Sequence, residues 1–262
     1  MALVLGSFFG GPPAGWGAAL AAAALAFYLV RHRVFLRTVA AADRALDVAD
    51  IDRARSLVAP LLARFPDVAL VQKASAAVAY SGGDPLSAAT LYERAARTLD
   101  KDPDVSVGLV AAYAALNKAS DARRAAARDP RSIDVRLALA WAELVALGGD
   151  RERGAALARE IFSALDATSG AERLAMGEAL VAIAAARGGD QRGARSALAQ
   201  VERQREHLSI SDRAFIDFLA GVALRECGAP EEARALFDRG VATAPGTIGG
   251  ALSRRERTHL VS

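Results

Sequence analysis

Residues 76–103 read AAVAYSGGDPLSAATLYERAARTLDKDP, and the fold is decided by what flanks the glycines near the centre. Gly83 suits the left-handed exit of one helix, Asp84 the N-cap of the next, and Pro85 the first turn of that second helix. On either side, small and aromatic residues keep helical spacing. Ala76 and Tyr80 are four apart, and Ala88, Tyr92 and Ala95 follow at intervals of four and three. The stretch therefore predicts two helices folded back on each other, with small residues where the axes cross and a large ring filling the space beside them.

The triplet Gly-Gly-Asp is written again at Gly148 to Asp150 and at Gly188 to Asp190. Five positions after each turn residue stands a small residue: Ala88 after Gly83, Gly154 after Gly149, Ala194 after Gly189, and Ala233 after Gly228. Two degenerate turns, Ala49 followed by Ala54 and Asn117 followed by Ala122, extend the series to six, with Ala54, Ala88 and Ala122 spaced 34 residues apart. A two-helix unit leaves one apolar face uncovered, and stacking the next unit covers it.

Composition agrees with an all-α chain. Of 262 residues 53% are hydrophobic, mostly Ala and Leu, 24% are charged and only 6% are aromatic, which favours helix over strand and argues against extensive disorder. A single cysteine, Cys227, has no partner for an internal disulfide and reads as a small buried apolar residue, while His32, His207 and His259 are scattered beyond metal-ligand spacing. No phosphate-cradling loop, nucleophile elbow or zinc-protease motif occurs, so the reading is a non-enzyme without cofactor or metal. A net charge of +3 is too small to imply nucleic acid as a partner.

The units resemble the tetratricopeptide repeat, whose pattern runs W-x2-L-G-x2-Y, then A-x3-F, then P. In AGVALRECGAPEEARALFDRGVATAP the matches are Gly221, Ala233, Phe237 and Pro245; in the opening stretch they are Ala76, Tyr80, Ala88, Tyr92, Ala95 and a late Pro103; in DIDRARSLVAPLLARFPD they are Ala54, Val58 and Pro66. The unit around LNKASDARRAAARDP has a short second helix, and the units of Gly149 and Gly189 lack the closing proline. The resemblance implies an α-solenoid of about six hairpins over residues 34–245, followed by a tail or capping helix at 246–262.

Residues 1–33 form a segment of different character. Charge is absent from Met1 to Val30, and Ala14 to Val30 is an apolar run followed by Arg31, Arg33 and Arg37. That order predicts an uncleaved transmembrane anchor with its basic flank at the membrane surface, the repeat domain on the cytoplasmic side, and the lipid bilayer as a partner. A cleaved signal peptide is the alternative, but it carries its positive charge before the apolar run. Ala14, Ala18, Ala22 and Ala26 form a small-residue stripe, open to reading as a helix-packing face or as alanine-rich composition.

The resemblance further implies a binding groove lined by the first helices. Lys73 is present, but Ala77 stands where a carboxylate clamp requires Asn, and the inferred lining (Val107, Ala111, Leu139, Ala179, Ile183, Phe218, Val222) is mainly apolar. An amphipathic protein segment suits such a groove, with Lys73, Tyr80, Arg136, Glu143, Arg187 and Arg225 as its polar members. Coverage of these side chains by neighbouring repeats or by the tail is the competing reading. The expected function is a membrane-tethered scaffold or assembly factor that binds proteins; the alternative is an accessory subunit built permanently into a membrane complex.

Overall fold

The structure of the chain, a computed structural model, describes Leu25, residues 33–166 and residues 168–260. The chain divides into two compact units, Met1–Ala41 and Ala42–Ser262. Among the described residues every regular element is a helix. Residues 33–47 form α1, followed by α2 (Ile51–Arg64), α3 (Ala69–Ser81), α4 (Pro85–Ala95), α5 (Pro103–Ala115), α6 (Ala119–Ala126) and α7 (Ile133–Val145). Then come α8 (Arg151–Ala164), α9 (Ala171–Arg187), α10 (Gln191–Arg205), α11 (Ile210–Glu226), α12 (Pro230–Thr243) and α13 (Ile248–His259).

Five tight connections share one hydrogen-bonded geometry. Ala49, Gly83, Asn117, Gly189 and Gly228 all have positive φ. The next residue in each donates its backbone N–H to a carbonyl five positions back, as Asp84 does to Ala79 (2.9 Å) and Asp190 to Ala185 (2.9 Å). This is the Schellman ending, which satisfies carbonyls that a helix terminus otherwise leaves unpaired. Asp50, Asp84 and Asp190 then cap the following helices by accepting from Arg53, Ser87 and Gly193 N–H. The residue five beyond each of these turns (Ala54, Ala88, Ala122, Ala194, Ala233) is fully buried.

The turn after α7 departs from this rule. The left-handed residue is Gly148 (φ 71°), not the expected Gly149. Helix α7 ends at Val145 and α8 begins at Arg151, an interval of six positions against four from Ser81 to Pro85. Here Asp150 N–H turns to a side chain, the Glu143 carboxylate at 2.7 Å, in place of a helix carbonyl. Glu143 therefore belongs to the turn that ends its own helix.

Within the second unit each helix packs on its neighbours in the chain, and the first helices also pack on one another in the order α3, α5, α7, α9, α11, α13. Gly221 has no room for a Cβ against the Phe237 ring, nor Gly108 against the ring of Tyr92. Ion pairs such as Lys73 with Asp102 (2.9 Å) and Arg173 with Asp134 (2.7 Å) tie one hairpin to the next.

Among the described residues no helix is long and apolar enough to cross a membrane. This overturns the single-pass membrane placement, and with it the orientation drawn from the basic flank. The longest helices with printed bounds, α9 and α11, have 17 residues each and carry Glu178, Arg213 and Asp217 among others. Helix α1 carries Arg33, Arg37, Asp43, Arg44 and Asp47. Ala14, Ala18, Ala22, Ala26 and Arg31 lie outside the described residues, and Arg33 and Arg37 are exposed on α1.

Candidate functional site

The first helices do not present an open apolar face. Glu143, Ala179, Ile183, Phe218 and Val222 are all 0% exposed, so they are core. The reason is coverage across repeats. Trp141 of α7 meets Phe215 of α11 edge to face at 5.0 Å, although α9 separates those helices in the chain. Helix α13 reaches the early hairpins: Arg255 donates to the Ala115 carbonyl at 3.2 Å, and a Cβ at Gly83 would lie 3.1 Å from that of Ala251.

The polar residues expected at the groove's edge instead join elements. Lys73 Nζ pairs with Asp102 at 2.9 Å and Asp104 at 2.7 Å. Arg187 pairs with Glu226 (3.0 Å), and Arg225 with Glu226 (2.9 Å) and Glu256, so a ladder of charge runs from α9 through α11 to α13. Tyr80 is half-buried, and burial together with the neighbouring Tyr92 pushes its phenol well above the ordinary range. Burial likewise pushes the Cys227 thiol up, away from a reactive thiolate.

Of the expected residues, Arg136 and Leu139 line an open cleft. A cleft of 480 Å³ lies over α7 between the second helices α6 and α8. Its origin is local. Lys118 gives α6 no side-chain cap, and the chain bends away at Asp129-Pro130, so α6 has eight residues where α8 and α12 each have 14. The missing turns leave the largely buried Leu139 of α7 and the half-buried Leu157 of α8 beside Ala126 and Ala127 in the cleft.

Three arginines edge this cleft. Arg123 grips Glu143 through two hydrogen bonds of 2.6 Å and also donates to the Gly148 carbonyl at 3.2 Å. Burial alone would raise the Glu143 carboxyl, but the Arg123 guanidinium and the Asp150 N–H together hold it below the ordinary carboxylate range. Arg136 pairs with Glu160 at 2.7 Å. Arg153 is 55% exposed, and its ion-pair partner among the described residues is the already engaged Glu143, at 3.9 Å.

A second groove has the same construction. It lies over α11 between α10 and α12, and measures 230 Å³. Two reciprocal pairs cross it: Arg195 to Glu232 (3.0 and 2.8 Å) and Arg239 to Glu202 (2.9 and 2.8 Å). Counting from the helix starts, Arg195 corresponds to Arg123, Glu232 to Arg153, Arg239 to Glu160, and Glu202 to Pro130. One rung is thus Arg facing Glu over α11 and Arg facing Arg over α7.

The sequence shows the short α6 and assigns Arg136 to a groove, but to one lined by the first helices; Arg123 and Arg153 are not among the expected residues. Their correspondence with Arg195 and Glu232 follows from the turns as well as from the helix starts: Arg123 and Arg195 stand six positions after Asn117 and Gly189, and Arg153 and Glu232 four after Gly149 and Gly228. The arrangement can bind through apolar contact and charge. Among the described residues no group of three or more His, Cys, Asp or Glu side chains is placed to hold a metal ion. No protein-family model matches the chain, and no curated protein matches it.

Proposed function

We propose that this chain is a tetratricopeptide-like α-solenoid that works by binding another protein, as a scaffold or assembly factor, without catalysis of its own. The period of the turns, the five matching Schellman endings and the packing order of the first helices support the repeat reading. The observation that carries the binding reading is the cleft over α7, a concave site with an apolar floor and a rim of arginines on an otherwise well-packed array. Burial of most of the first-helix lining, with Trp141 against Phe215 and Arg255 on the Ala115 carbonyl, favours this cleft over that face as the ligand surface.

The test is site-specific photocrosslinking in the cells that make the protein. A benzophenone side chain at Ala156, which is exposed in the cleft, is expected to trap a discrete protein, and the same group at Glu231 on α12 is expected to trap none. Absence of any crosslinked protein from Ala156, with the chain folded and expressed, overturns the reading.

A further inference from the structure

We infer that the cleft over α7 takes an acidic amphipathic segment of a partner protein, one carboxylate of which completes the rung between Arg123 and Arg153. This rests on the protein-binding reading above and adds the chemistry of the occupant.

The argument is the comparison of two equivalent rungs. Over α11, Arg195 meets a carboxylate, Glu232, through paired hydrogen bonds. Over α7 the position of Glu232 is taken by Arg153, so two guanidinium groups face one cleft without a carboxylate between them at the surface. Glu143 beneath them is fully buried and already accepts two bonds from Arg123 and one from Asp150. Its capacity is largely spent, and Arg153 is left with a distant partner. The second rung changes in the opposite sense, since Pro130 replaces Glu202 and Glu160 replaces Arg239, but Glu160 is taken up by Arg136. Glu160 is 68% exposed, so that pair exchanges readily with an incoming acid. What the cleft calls for is one more negative charge, since Arg123, Arg136 and Arg153 are set against Glu143 and Glu160, and an apolar partner for the half-buried Leu157 beside the largely buried Leu139. An amphipathic segment with carboxylates flanking its apolar stripe supplies both.

Other occupants fit less well. Single-stranded nucleic acid is held by stacking its bases on aromatic side chains, and the lining of this cleft contains none. The chain's own residues 1–30 contain no carboxylate, and α13 is engaged at α5, α11 and α12.

The test uses the full chain and a defined probe, a fluorescein-labelled peptide of Leu, Ala and Glu with leucines at helical i, i+3, i+4 and i+7 spacing. Fluorescence anisotropy is expected to show saturable binding that weakens with added salt. Arg153→Glu, with unchanged circular dichroism, is expected to weaken it about ten-fold. Arg153→Lys is expected to retain most of the affinity. A counterpart peptide with Lys in place of Glu is expected not to bind, and an oligothymidylate not to compete. No binding of the acidic peptide, equal binding by Arg153→Glu, or equal binding of the Lys peptide overturns the inference. Competition by the oligonucleotide that depends on Arg153 overturns it in favour of nucleic acid. A protein crosslinked at Ala156 alongside a failed peptide assay overturns the acidic occupant alone and leaves the protein-binding reading standing.

Discussion

Two second helices straddle a first helix in each of two places, α6 and α8 over α7 and α10 and α12 over α11, and the two places end differently. Over α11 the straddling helices are of similar length and exchange two bidentate Arg–Glu pairs across a space of 230 Å³. Over α7 one helix stops early, one rung is Arg against Arg, and the space is 480 Å³. Exposed ion pairs contribute little to stability, so the difference matters chiefly for access to the apolar floor. The same scaffold presents a bridged groove or an open cleft according to a few side chains and one shortened helix.

The largest way to break the comparison is to remove the carboxylate beneath the open cleft. Glu143→Ala leaves Arg123 and the Asp150 N–H without their acceptor, and is expected to lower the free energy of unfolding by about 3 kcal/mol in urea titration. A loss no larger than that of an exposed ion pair would show that the irregular turn stands without Glu143. The pH dependence follows from the same group. Its folded pKa is depressed, so its stabilisation is present above the unfolded carboxyl value of about 4.3 and disappears as pH falls through the lower folded value. Between about pH 5 and pH 3 the wild-type chain is expected to lose stability more steeply than Glu143→Gln, read from urea midpoints at each pH. Parallel slopes would assign the acid sensitivity to other carboxylates.

The reverse experiment opens the closed groove. Glu232→Arg places Arg against Arg195, reproducing the rung over α7, and is expected to lower the melting temperature slightly while creating a second site for the acidic peptide. Binding stoichiometry by calorimetry checks it, one peptide for wild type and two for the variant. If the stoichiometry stays at one, the length of α10 rather than its charge keeps that groove shut.

Much of the fold was legible because turns are local. Five of the six turn residues could be placed from Gly, Ala or Asn five positions before a small residue, and each has positive φ. The sixth slipped by one because a buried side chain, Glu143, took over a hydrogen bond that backbone makes elsewhere. The binding face was less legible for a different reason. Helical spacing shows that Phe218 and Val222 share an apolar face, but the same spacing serves a groove and a core, and only contacts between repeats decide. Trp141 against Phe215 and Arg255 against Ala115 are such contacts, the second spanning 140 residues of sequence. Arg153 stands four positions after Gly149 as Glu232 does after Gly228, so its place on the helix is readable from the turns, but its sharing a cleft with Arg123 depends on contacts between helices.

The smallest expected effect bears most directly on why the cleft is open. Arg153→Glu rebuilds over α7 the rung that Arg195 and Glu232 form over α11, so the variant trades repulsion between two guanidinium groups for an attraction. Both positions are partly exposed, Arg153 at 55% and Arg123 at 32%, and Arg123 is already held by Glu143. The gain is therefore expected to be only about 0.2–0.5 kcal/mol, seen as a small upward shift in the urea midpoint. Its direction is what matters. A variant that is more stable and yet binds the acidic peptide more weakly shows that the wild-type chain keeps Arg against Arg at a cost to its own stability, as a surface shaped for a partner does. A variant that loses stability shows that Arg153 already contributes to the fold through Glu143, and the open rung is then part of the turn and not of a binding site.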